Sequence, residues 1–259
     1  MDDIRLDHAV YEKQSRPLKQ QIAGYLDAAQ TTPVEGEVYA LIVPNTNRLS
    51  GARAAADVFK VLEGRRYDTV ILVAAARNAS FPRMNICEVD AYPALLGTLA
   101  VNDRLRHELC DEDDDIYLDD DGHFEAEGIA VQLPYLQTLL GDFDIVPVVM
   151  GEESPEFCRE LGNAIGEVTF NKRILVVASV DVVGSSEAHL AEFQQYFEAG
   201  DVSRLMMMLN SERVHLAGKG PFLVTMIAAA HRHIDRVRIL SLEPAHDDVP
   251  GYLGAVICQ

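Results

Sequence analysis

The chain has 259 residues, 48% of them hydrophobic, with a neutral mean hydropathy; it can bury a sizeable core and is not a disordered chain. Its net charge of −19 argues against nucleic-acid phosphates and anionic membrane surfaces as partners, since both reward Lys and Arg. No apolar run approaches the roughly 18 residues of a spanning helix. The opening "MDDIRLDHAVYEKQ" lacks the basic and apolar regions of a signal peptide. Cys87, Cys110, Cys158 and Cys258 lie far apart with no CxxC pair, and predict reduced thiols in a cytoplasmic protein.

Taken in chain order, residues 17–29 place Leu18, Ile22, Leu26 and Ala29 at helical spacing. The loop "TTPVEGE" follows, then "VYALIV", a buried strand that ends at Pro44. "VPNTNRLSG" forms a polar turn into the helix "RAAADVFKVLEG", closed by Gly64, and "YDTVILVAAA" is a second buried strand. Residues 76–125 are the most irregular part, with a short helix at "DRLRHELC". "AVQLPYLQTLL" predicts one helix and "FDIVPVVM" a strand. "SPEFCRELGNAIGEV" is a helix capped by Ser154 with Pro155 at its first position. After the strand "KRILVVASV" come three helices, "SEAHLAEFQQYFEAG", "DVSRLMMMLN" and "GPFLVTMIAAAHRH", then the strands "RVRILSLE" and "YLGAVICQ". Apolar strands alternating with helices predict an α/β fold, one domain over residues 1–259, with a largely parallel or mixed central sheet covered on both faces.

Several motifs fail their chemical tests. An EF-hand loop anchored on Gly122 needs an acidic first position and a glutamate at the twelfth, but finds Tyr117 and Gly128. The acidic run is read as a solvated loop. "HLAGKGPF" lacks the first Gly and the Ser/Thr of a phosphate loop, although Gly218 and Gly220 free backbone N–H groups at a helix start, where an anion could sit beside Lys219. His231 and His233 are two apart, the wrong spacing for two ligands on one helical face. Ser186 reads as a helix cap, and Met206 to Met208 as core packing within a helix.

In combination, these segments resemble the Memo family, which shares the fold of the class III extradiol ring-cleavage dioxygenases. "VQLPYLQTLLGDFDIVPVVMG" is similar to the family's "EVQLPFLQ" followed by "F-x-IVPI-x-x-G", and the closing "GYLGAVICQ" is similar too. "VPNTNRLSG" looks like the family's "PHAGYRYSG", which puts Asn45 where the family has a metal-site histidine. "ILVAAARNASF" stands for "LLGPSHH", with Arg77 and Asn78 in place of two histidines. "AEGIAVQLP" replaces "EHSLEVQLP", so Glu127 stands at the histidine and Ala130 at the glutamate. Asp181 is the acidic survivor of the segment ending "SSD-x-x-H", and Ala217 replaces the cysteine of "CG-x-x-P".

Each position that would bind or activate through imidazole or thiolate has therefore changed. Transition metals need imidazole, thiolate or carboxylate donors in one shell, and a guanidinium, always protonated, cannot coordinate. The resemblance thus implies a family member with no metal cofactor, whose old pocket binds a small polar or anionic ligand through Asn45, Arg77, Asn78, Glu127, Asp181 and Lys219, or whose surface binds a protein. Arg77 is expected to fill the metal's place, with Glu127 or Asp181 as its carboxylate partner. The alternative is a metal-independent enzyme in the same pocket, using Glu127, Asp181 and His215 for acid–base work. By family analogy, partners would be AMMECR1-like or radical-SAM proteins.

Overall fold

The structure, a computed structural model, describes residues 11–12, 14–44, 49–76, 81–123, 126–246 and 249–259. Its framework is four parallel strands: β1 (Val38–Val43), β8 (Ile174–Ser179), β2 (Thr69–Ala75) and β7 (Asp144–Met150), adjacent in that order. Nearly every residue in them is buried, which is why they read as unbroken apolar runs. Beyond β7 lie β3 (Met84–Ile86), antiparallel to it, and then β6 (Ile116–Leu118). On the other side β12 (Gly251–Cys258) runs antiparallel to β1 and carries both β11 (Arg236–Leu242) and β9 (Asp181–Ser185). β10 (Val214–Ala217) closes that edge against β9. A separate ribbon pairs β4 (Ala91–Tyr92) with β5 (Leu99–Ala100). The sheet is therefore mixed, with antiparallel flanks around a parallel centre.

The alternation of β8 divides the core into two layers. Ile174, Val176 and Ala178 face one cluster with α6 (Pro155–Val168) and α9 (Lys219–His231); Leu175 and Val177 face the other with α1 (Ser15–Ala28), α2 (Leu49–Phe59) and α5 (Leu133–Leu139). Burying a side chain such as Ile22 or Phe222 completely is worth about 1.5–3 kcal/mol each. α6 approaches α9 closely because Gly162 has no Cβ, which would otherwise fall 2.7 Å from Ile227. The remaining helices are α3 (Asp103–Glu112), the short α4 (Glu127–Ala130), α7 (Glu187–Glu198) and α8 (Val202–Asn210).

The predicted caps are in place. Ser154 accepts from the N–H of Phe157, and Ser186 from that of His189. Three expectations need correction. "AVQLPYLQTLL" is not one helix: α4 ends at Ala130 and α5 begins at Leu133, with Pro134 in its first turn, where its missing N–H costs nothing. The methionine run is not all core. Met206 and Met208 are buried, but Met207 is 61% exposed, because three consecutive residues cannot share one helical face. The acidic run is more than a solvated loop, since Asp119 pairs with Arg83, the Asp120 carboxylate accepts from the N–H of Glu88, and β6 lies within the run. Among the described residues no helix is long and apolar enough to cross a membrane.

Candidate functional site

In an open α/β sheet, ligands bind beyond the carboxyl ends of the parallel strands. There the chain leaves β1 at Pro44, β8 at Ser179, β2 at Ala76 and β7 at Gly151. The ends are laced together: the N–H of Val180 donates to Val43 and that of Ala76 to Met150, each at 2.8 Å. Gln132, 1% exposed between α4 and α5, binds two of these ends at once. Its Nε2 donates to the Pro44 carbonyl at 2.7 Å and to Ser179 Oγ at 3.1 Å. Pro44 offers only an acceptor there, so the amide orientation is fixed by chemistry. The Ser179 hydroxyl in turn donates to the Gly128 carbonyl in α4. Gln132 Oε1 is buried without a partner.

Glu127 and Asp181 are both brought to this end. Glu127 opens α4 beside Gly128. Asp181, 6% exposed, opens β9 two residues beyond Ser179. Neither carboxylate is without an interaction. Directly opposite residues of an antiparallel pair point the same way, and Asp181 lies opposite Ala217 on β10 and Tyr252 on β12. His215, two residues before Ala217, is exposed. Asn45, Arg77 and Asn78 lie outside the described residues, so the expected pairing of Arg77 does too.

Lys219 also reaches this end, but from the layer of α6 and α9. Gly218 ahead of it has φ +85°, and a Cβ there would collide with the Ser179 carbonyl. The anion that sequence reasoning placed at the start of α9 is supplied by the chain itself: the N–H of Gly220 donates to the Glu153 carboxylate. Burial raises the Glu153 carboxyl above its usual range, while that backbone bond and Lys219 oppose the shift. Cys158 lies beneath, its Sγ 4.0 Å from the Gly220 carbonyl. Burial first, and then the charge of Glu153, push its thiol up to about 12, so it is neither a ready ligand nor a nucleophile.

Among the described residues at this end, the candidate donors are few. Glu127 and Asp181 offer oxygen, Ala217 offers nothing, and the thiol at hand stays protonated. Among the described residues, the group of three acidic or imidazole donors close enough to share an ion is Asp113, Asp115 and Glu160, between the end of α3 and α6. It is not part of this site. Sequence reasoning missed Gln132, Ser179 and Glu153. A glutamine inside the apolar "VQLPYL" was a usable signal; nothing around Glu153 in "MGEESPE" marks it.

A mixed sheet with a parallel centre, helices on both faces and a polar site at the carboxyl ends of the strands defines an α/β protein of dioxygenase-like architecture. In the solved structure of an uncharacterized protein from Escherichia coli K12 the fold recurs with a TM-score of 0.56, at 18% identity, over 85% of this chain and all of that one. A family model described as Memo-like protein matches residues 5–253, and the chain belongs to that family. Curated relatives include MEMO1 family proteins of Thermoplasma acidophilum (23% identical, 74% of each chain) and Nitrosopumilus maritimus (22%, 85% of this chain and 82% of that one). Another, from Saccharolobus islandicus, is 28% identical over 73% of this chain and 70% of its own.

Proposed function

We propose that this Memo-family protein acts by binding a small polar or anionic ligand at the carboxyl ends of its parallel strands, without transition-metal chemistry. The observation that supports this reading is the pairing of Asp181 with Ala217. Where the family resemblance calls for a thiol, a methyl group stands directly across the strand from the surviving carboxylate. Gln132 and Ser179 tie the strand ends into a fixed polar frame beneath this end of the sheet. Asn45, Arg77 and Asn78, which follow β1 and β2 in the sequence, belong to the same proposal. Partners of AMMECR1-like or radical-SAM type belong to the same proposal, on family analogy alone.

The test is elemental analysis of untagged protein after reconstitution with iron, zinc and copper. Sub-stoichiometric metal under each condition is expected. One tightly held metal per chain, lost in Asp181→Asn, would overturn the reading and make a metal enzyme the better one.

A further inference from the structure

At the opposite end of the sheet, where β7 begins, a cavity of about 620 Å³ lies between α1, α5 and the loop joining β4 to β5. Its size falls within the ordinary range of small-molecule sites. Leu96, Leu99 and Phe143 give it an apolar lining, and Arg16 and Lys19 stand at its margin. These two cations are three apart on α1 and so share a face. No carboxylate among the described residues pairs with either. Both charges are therefore open to an anion, unlike those of Arg83, paired with Asp119, or Arg106, paired with Asp90 and Asp103.

The wall is also held in shape before any ligand arrives. Ser15 Oγ donates to the Leu95 carbonyl from α1, and Gln137 Nε2 donates to the Gly97 carbonyl at 2.8 Å from α5. The loop carrying Leu96 is thereby fastened to both helices, which lowers the ordering cost of binding. We infer that this cavity binds an amphipathic monoanion, a carboxylate with an apolar chain or ring. The tail would lie on Leu96, Leu99 and Phe143, and the carboxylate between Arg16 and Lys19. The site is independent of the one at the carboxyl ends of the strands.

Octanoate is the probe, with octylammonium as the charge control, each titrated into ¹⁵N-labelled full-length protein and followed by amide shifts. Octanoate is expected to move the Gly97 and Gln137 resonances saturably, with octylammonium moving them little. In Arg16→Glu/Lys19→Glu the affinity for octanoate should fall at least about tenfold. Both positions are exposed, so the variant should keep its fold, as circular dichroism will verify. The inference is overturned if neither resonance moves, if octylammonium moves them equally, or if the charge-reversed variant binds octanoate undiminished.

Discussion

His123 should make this protein acid-labile in a way that one substitution removes. The imidazole is 2% exposed, edge-on to Tyr92 at 6.1 Å, beneath the acidic loop that follows β6. Its Nε2 lies 3.1 Å from the Asn85 carbonyl, which can only accept, so Nε2 carries the proton. Nδ1 is buried with no partner, and that is where a second proton would have to go. Burial lowers the pKa from the ordinary 6.5 to about 4, against the opposing pull of the Asn85 carbonyl, Asp120 and Asp119. Between those two values the unfolded chain binds a proton that the folded one refuses, so stability falls as pH falls. The stabilisation is whole above about pH 6.5 and is lost through about pH 4. The full loss is about 3 kcal/mol, of which about 2.5 has gone by pH 4.5. That is a large share of the roughly 5–15 kcal/mol that holds a domain together.

The assay is urea denaturation at pH 7.5 and at pH 4.5, for the wild type and for His123→Gln. The glutamine amide can still donate to Asn85 but cannot take up the proton. Other carboxyl groups titrate over the same interval, and comparing the two proteins cancels them. The wild type should lose about 2.5 kcal/mol more than the variant. Equal losses, or an imidazole that titrates near 6.5 by NMR in the folded protein, would refute the reasoning.

Gly218→Ala should destabilise the protein by about 2–4 kcal/mol, because it combines a left-handed backbone with a Cβ driven into the Ser179 carbonyl. Thermal melting should show the loss as a drop of about 5–10 °C, and an unchanged midpoint would count against the close approach of α9 to β8. Gln132→Leu leaves the buried Pro44 carbonyl without its side-chain donor and should cost about 1–3 kcal/mol in chemical denaturation. If stability were untouched, Gln132 would not be the tie between the ends of β1 and β8.

Much of this protein is legible in its residues because local signals and burial agree. "VYALIV" is a strand from its first residue to its last, since a central parallel strand buries every side chain and so has an unbroken apolar run. Ser154 and Pro155 mark the start of α6 because helix N-termini leave unpaired N–H groups that a hydroxyl can cap. The mixed architecture was likewise within reach, through alternating elements and a motif order similar to one family.

Other features depend on what the tertiary structure brings together. β9 and β10 are an antiparallel pair separated in the chain by two helices, so neither has a local partner to announce it. "DVVGS" becomes a strand only by lying between β10 and β12. The short β3, β4, β5 and β6 are ordered by the sheet edge and the ribbon rather than by any apolar period of their own. At the site, the sequence supplied candidate groups such as Glu127, Asp181 and Lys219. That Asp181 faces Ala217, that Gln132 ties β1 to β8, and that Glu153 takes up the N–H at the start of α9 came from contacts between distant segments. Chain composition fixes which groups are available, but long-range packing decides which of them meet.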